Sequence, residues 1–510
     1  MAAPTQKLGG QSRLRRNRVD SLQFTYEEKK HKSSQSQGIL LEQSPEERAI
    51  AKVRNYLSRF HTDTFNDAIL NPKARSQIRQ EIRSFIHRED IVLPNFNEDE
   101  AVDYLLYQIT GLGKAQEDAD DPDVNEIQLD PDGRIWIRKG KDEYVKKDGN
   151  GRPIIMSEAE RFEIASRIKN ARGGKLDLAK PYLDTATDTN RINIIINPFS
   201  PDGTAITLRR FTDFLRITEE GFVSSGQGTE LMLHDLKLNM RLKVGSQMIA
   251  GPTGSGKTEL FKFLVKYLPD DKRTLLVEDT RESRLKVLFP QKRILELLTR
   301  HSDDPRISID LSKALLNALR LTPDRIMVQE VRDKALRTVL EIFMTGHPGM
   351  TTAHAESAED MFERAIMMVI EAVPNLPPQI IGRWIAKALG RIVVQKRYPD
   401  GVFRISEIVE VQGYDIHNFA PILNPIFKYK VLNYKYAPGV TFDEKGNPMN
   451  IQVVDQVIGY HEQIGRYSRE LTQRMIEAGA TIEELQDLGD EELLAEIEAD
   501  LKRFQRRGEE

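Results

Sequence analysis

The sequence has no cysteine among its 510 residues, which removes disulfides, thiolate metal sites and cysteine nucleophiles at once. Its nine histidines are scattered without HExxH spacing, so there is no zinc signature either. No stretch approaches the roughly 18 to 20 consecutive apolar residues that a bilayer span requires, and the N-terminus lacks the apolar core of a signal peptide. The expectation is a protein that stays in the cytosol. Neither sign of charge dominates: 74 basic residues face 78 acidic ones, which argues against a chain-wide surface for polyanions. Internal repeats and extended low-complexity segments are also missing. At this length one core stops growing, so two or three packed domains are expected.

What is present divides by pattern. Residues 1–43 are basic: up to residue 33, eight lysines and arginines oppose three acids, and with few apolar residues this tail is expected to be disordered. A helical region follows over 44–95, opened by Ser44-Pro45-Glu46-Glu47, a cap, a first-turn proline and a capping box. Alternating short runs such as Ile127/Leu129 and Ile135/Ile137 around a Pro131-Asp132-Gly133 turn predict a hairpin, and 96–215 reads as an α+β domain. Ser224-Ser225-Gly226-Gln227-Gly228 marks residues 216–232 as a linker. Over 233–425 strands and helices alternate as in a parallel sheet covered by helices, and 426–510 reads as a C-terminal strand and helix extension.

The chemistry concentrates in the fifth segment. Gly251-Pro252-Thr253-Gly254-Ser255-Gly256-Lys257-Thr258, followed by Glu259, lies between an apolar run and a helical stretch. Glycines there let backbone N–H groups curl around phosphate oxygens at a helix N-terminus. Lys257 would reach the outer phosphates and the Thr258 hydroxyl would hold Mg²⁺, which points to a magnesium nucleotide without distinguishing a motor from a kinase or a GTPase. Downstream, Thr274–Val277 delivers Glu278, and Arg325–Val328 leads through Gln329 to Glu330. One acid could polarise an attacking water and the other could order Mg²⁺. His347 and His354 follow in a Gly/Thr-rich stretch, with His354 placed near a strand end where it could contact a γ-phosphate.

These ordered motifs resemble the type II/type IV secretion ATPase superfamily, nearest to its TadA/CpaF-type pilus-assembly and conjugation-related members. The phosphate loop is similar to that family's Walker A, Val277–Thr280 to its Asp box, Met327–Arg332 to its Walker B and Thr345–Ala355 to its His box. Upstream, Asp121–Ile127 and Ile206–Phe211 are similar to signature stretches of its N-terminal domain. The resemblance covers about residues 95–425. It implies an α/β fold in which a RecA-like P-loop ATPase domain with a parallel sheet is preceded by an α+β domain and a small helical region. It also implies a homo-hexamer at the inner face of the cell membrane, working on an integral membrane platform protein; the near-neutral charge adds the expectation of no direct nucleic-acid partner. By the same resemblance Glu278 is the water-activating base, Glu330 the Walker B acid that also serves the metal with Thr258, and Lys257 and His354 act on the phosphates. Arg209 and Arg210 would reach the nucleotide from the N-terminal domain, with Arg281 and Arg332 as further inter-subunit contacts. Departures from the family pattern are Gln329 for glycine, Glu259 for Thr or Ser, Glu356 for asparagine, and Thr187–Asn190 in place of a Pro-Asp-Gly turn. Two rival readings are a nucleotide-gated platform with little turnover and a DNA-translocating motor.

Overall fold

Two β-sheets of opposite construction organise the larger part of the chain. The computed structural model describes residues 44–68, 72–94, 96–140, 142–172, 175–187, 189–300, 306–442 and 448–508; the basic tail lies outside them.

The chain divides into two units, one ending at Gly113 and one from Lys114 onward. In the first, helices Pro45–Phe60, Thr62–Ala68, Pro72–Arg88 and Glu98–Thr110 share a core containing Val53, Leu57, Ile78, Ile82, Leu105 and Ile109. Ser44 forms the expected capping box with Glu47, and Asn97 forms an equivalent box with Glu100, satisfying N–H groups that the first helical turn leaves open. The helix at 98–110 thus belongs with this unit, and not with the α+β domain that sequence pattern starts at residue 96.

In the second unit, β1 (Val124–Leu129), β2 (Ile135–Lys139), β3 (Asp142–Val145), β4 (Tyr182–Ala186), β5 (Asn190–Ile195) and β6 (Ala205–Arg210) form a sheet in the order β3-β2-β1-β6-β5-β4. All neighbours are antiparallel, and the β1–β2 hairpin pairs Ile127 with Ile137.

The next strands are β7 (Ser246–Ala250), β8 (Thr274–Glu278), β9 (Ile294–Leu298), β10 (Arg325–Val328), β11 (Gly349–Ala353), β12 (Leu389–Arg397), β13 (Phe403–Asp415), β14 (Ala420–Phe442) and β15 (Pro448–Gln463). They build one sheet in the order β15-β14-β13-β12-β7-β11-β10-β8-β9. The six strands from β12 to β9 run parallel. β7, β8, β10 and β11 are buried at every position, as strands covered on both faces must be. Alternate residues divide between two cores: Ile249, Leu276 and Met327 face one, Met248, Leu275 and Ile326 the other. This is the RecA-like arrangement the resemblance implies.

Two boundaries differ from the sequence pattern. Residue 425 falls inside β14, and Tyr467, Leu471, Met475, Leu485 and Leu488 enter the core beneath the P-loop helix, so 426–510 completes the ATPase sheet instead of extending it. The stretch 216–232 is packed too: it holds helix Glu219–Ser224, and Phe222 is fully buried. Gly228 is required there because a Cβ would lie 2.5 Å from the Phe222 ring. Its glycine reflects close packing, where sequence pattern suggested a flexible joint.

Candidate nucleotide site

The phosphate loop leaves β7 at Ala250 and ends on the helix Lys257–Val265. Gly256 has φ +83°, and a Cβ on it would stand 2.8 Å from Gln395 Nε2 and 3.2 Å from the Phe403 ring; one on Gly251 would stand 2.1 Å from the Gln395 carbonyl oxygen. The loop is therefore pressed onto β12 and the start of β13, and only glycine fits at both ends. Gln395, fully buried, donates from Nε2 to the Ser255 carbonyl at 2.7 Å and accepts at Oε1 from Gln227 Nε2 at 2.9 Å. Neither glutamine was singled out from sequence. They lie 168 residues apart, and no local pattern announces such a pair.

Lys257 is buried and donates to the carbonyls of Gly251 and Pro252, both at 2.9 Å, while its Nζ lies 3.2 Å from His354 Nδ1. Burial lowers its pKa to about 8, with Glu330 opposing that shift and Arg332 adding to it. His354, one residue beyond β11, places Nδ1 also 3.4 Å from Thr253 Oγ1 and Nε2 3.0 Å from Glu330 Oε1. Its pKa is lowered by burial and by the charge of Lys257. Glu330 accepts at Oε2 from Arg332 at 2.6 Å. Burial pushes its carboxyl up, but Arg332, His354 and Lys257 together hold it below the ordinary carboxylate value. A continuous line thus runs from Arg332 through Glu330 and His354 to Lys257 and the loop.

Glu278, the last residue of β8, is 2% exposed. Ser283 N–H donates to its Oε2 at 3.2 Å, Oε1 has no hydrogen-bond partner among the described residues, and burial raises its pKa to about 8. Burial thus favours its protonated form in this conformation, so acting as a base requires solvent or a cation to reach it first.

The other expected residues separate. Glu259 Oε1 pairs with the buried Lys262 at 3.1 Å and accepts from Thr212 Oγ1 at 3.4 Å, while its Oε2 is buried with no partner among the described residues. Gln329 is 7% exposed and its carbonyl accepts from Thr352 Oγ1 at 2.7 Å. His347 is half-buried, and its Nδ1 lies 3.1 Å from the hydroxyl of nearby Thr345. Arg209 is exposed at the end of β6, and Arg210 donates to the Ala119 carbonyl; among the described residues no hydrogen bond or ion pair joins either to the loop. Arg281 is held by Glu296 at 2.8 Å. The N-terminal-domain cation that does feel this edge is Arg191, bonded to Asp184 at 2.8 Å and within electrostatic reach of Glu282 and Arg332.

These residues suit a magnesium nucleotide. Gly251 and Gly256 let the loop seat tightly on its supporting strands, the space beside Gly254 at φ +74° is open, and the Ser255 hydroxyl and Glu278 Oε1 are buried polar atoms with no partner among the described residues. Loop N–H groups and Lys257 would hold the phosphates, and Thr258 and Glu330 the metal, whose charge would offset that of the phosphate oxygens.

Comparison with known proteins fits this geometry. The family profile "Type II/IV secretion system protein" matches residues 187–399. The conjugal transfer protein TrbB of Rhizobium radiobacter is 30% identical over 304 residues, 58% of this chain and 86% of that one. This chain belongs to the type II/IV secretion ATPase superfamily. The type IV secretion system protein VirB11 of Bartonella henselae is 35% identical over 164 residues, 32% of this chain and 45% of that protein. Among solved structures, the VirB11 ATPase of the Brucella suis type IV secretion system, in complex with sulphate, aligns at 23% identity over 57% of this chain and 90% of that one, with a TM-score of 0.31. Membership supports an ATP-using secretion or conjugation protein. No helix among the described residues is long and apolar enough to cross a membrane.

Proposed function

We propose that the chain hydrolyses ATP with Mg²⁺ as a homo-hexamer at the inner face of the cell membrane, driving an integral membrane platform protein of a conjugation or type IV secretion machine. The observation that carries this is the line Arg332–Glu330–His354–Lys257, which ties the second acid of the sheet edge directly to the phosphate loop. Lys257 leaves two loop carbonyls to meet phosphate, Glu330 holds the metal with Thr258, and His354 sits between them as the residue that registers a change of charge at either. Glu278 activates water once its proton has been released. Arg209, exposed on β6, is assigned to a neighbouring copy's nucleotide; Arg210, tied to Ala119, is its weaker companion.

A Tad-type pilus is the second reading of the motor's setting, and the conjugal-transfer relative favours the first. Nucleic acid is not assigned as a direct partner, so added DNA should leave turnover unchanged. Steady-state phosphate release by the purified chain tests the whole reading. Wild type should turn over, and Glu330→Gln should lose at least about a hundredfold. A wild type that binds ATP without turnover would leave the nucleotide-gated platform in its place.

A further inference from the structure

The β14–β15 hairpin is built on a scale that the nucleotide site does not require. β13 pairs with β14 only between Ala420 and Lys428, whereas β14 and β15 remain paired out to Phe442 and Pro448. β15 is the terminal strand of the sheet. The direction follows from register. β12 runs parallel to β7 and reaches the phosphate-loop edge with Val394 opposite Ala250. β13 starts back from that edge at Phe403, and β14 returns towards it and overshoots. From Val431 outward the two-stranded ribbon overhangs the nucleotide edge by about 35 Å at ~3.3 Å per residue.

Both faces of this ribbon expose large apolar side chains. Met449, Ile451 and Val453, two residues apart and therefore on one face, are 46%, 39% and 40% exposed. They lie opposite Thr441, Gly439 and Ala437. Tyr434 and Tyr436, 38% and 59% exposed, belong to the other face, since Tyr436 pairs with Val454. Leu432 is 66% exposed. An isolated two-stranded ribbon is marginal in water, and one with apolar faces and an open edge invites a partner.

Charge identifies the kind of partner. Across Tyr434–Phe442 and Pro448–Val457 only Lys435 and Asp455 are charged, so nothing here recognises phosphates of a lipid surface or nucleic acid. That leaves protein, and a ribbon that needs permanent cover suits a partner made in equal number. Two faces about 35 Å long and ~10 Å wide offer about 700 Å², close to the ~800 Å² that each side of a standard interface buries.

The ribbon is also firmly rooted. Asp400, between β12 and β13, accepts from Arg404 at 2.8 and 2.7 Å and from the Val457 N–H at 2.9 Å. Tyr429 stacks edge-on against Tyr398 at 5.0 Å, and His461 Nε2 lies 3.0 Å from the Ile405 carbonyl. Phe403, next to Arg404, is the residue packed under Gly256. A load on the ribbon is therefore carried to the support of the phosphate loop.

We propose that the β14–β15 hairpin is an arm that grips the next copy of this chain head to tail, across the nucleotide edge. This does not depend on hydrolysis. Because the chain has no cysteine, Tyr436→Cys creates a single thiol that a maleimide photo-crosslinker can occupy in the full-length protein. Irradiating a mixture of isotopically light and heavy chains with a non-hydrolysable ATP analogue should give cross-linked peptides joining two different chains. Joining Tyr434 to Val457 through Asn-Gly, a turn suited to such a ribbon, should weaken self-association at least tenfold by sedimentation velocity, and so should the double substitution Ile451→Asp with Val453→Asp. Assembly unchanged in both variants, cross-links confined to one chain, including its own residues 1–113, or a wild type that stays monomeric with nucleotide would each overturn the proposal. Lys257→Ala that assembles normally without turnover would support it.

Discussion

The two sheets of the larger unit carry similar charged residues and treat them in opposite ways. On the antiparallel sheet Lys139, Arg138 and Arg191 each have an acid beside them: Lys139 with Asp121 at 2.9 Å, Arg138 between Glu126 and Glu143 at 3.1 and 2.9 Å, Arg191 with Asp184. These pairs are partly exposed, and for Lys139 and Asp121 the pKa shifts favour the charged forms. On the phosphate-loop edge of the parallel sheet, Lys257 bonds to carbonyls instead of an acid, Glu278 has one oxygen without a partner, and the pKa values of both move toward neutrality. Folding alone does not favour that arrangement, because a buried charge without its partner is destabilising. Matched pairs mark the scaffold, and mismatched groups mark the place where a charged ligand is awaited.

That contrast breaks most sharply in a paired substitution. Lys257→Ala should reduce ATP turnover by at least about 10³-fold, since it removes the cation that meets the phosphates, whereas Lys139→Ala should stay within about twofold in the same phosphate-release assay. Equal losses would dissolve the distinction.

The second test is thermodynamic. Glu278 has a folded-state pKa raised to about 8 from 4.5, so the native state holds a proton that the unfolded chain releases. Its contribution is fully present below about pH 4.5 and is lost as pH rises towards 8. Glu278→Gln, which cannot ionise, should therefore gain stability relative to wild type across that window, by up to about 4 kcal/mol, and the difference should be flat above it. Chemical denaturation at pH 5 and pH 8 checks this; a difference that does not change with pH would mean the carboxyl is ionised in the fold.

How much of this the sequence made legible depends on the range of the interaction concerned. The phosphate loop, the acids at the ends of β8 and β10, and His354 beyond β11 are local features: a short apolar run followed by one polar residue, readable in a window of ten. The β1–β2 hairpin was visible for the same reason. That residues 219–224 and 467–477 belong to the core was harder to read, because Phe222 under Gly228 is a close approach that composition does not show and Tyr467 against Asp235 and Arg391 is a contact between distant residues. Gly228 looked like flexibility because composition cannot distinguish a loose turn, such as that at Gly226, from a close approach. Arg209 and Arg210 matched a motif, but a motif does not say which way a guanidinium is turned.

Smaller effects sharpen the account of the second unit. Phe222→Ala should cost about 3 kcal/mol in thermal or chemical unfolding, the usual range for a buried aromatic; less than about 1 kcal/mol would restore 216–232 as a free linker. Arg138→Ala on the antiparallel sheet should fall below about 1 kcal/mol, as exposed ion pairs do.

The most direct test of the central claim compares nucleotide binding with turnover in a single variant. Glu278→Gln, examined with a fluorescent ATP analogue and by phosphate release, should bind within a few-fold of wild type and turn over at least about 10³-fold more slowly, because the loop and Lys257 are intact and the base is gone. Turnover within tenfold of wild type would contradict the assignment of the mismatched acid on β8 to the chemistry.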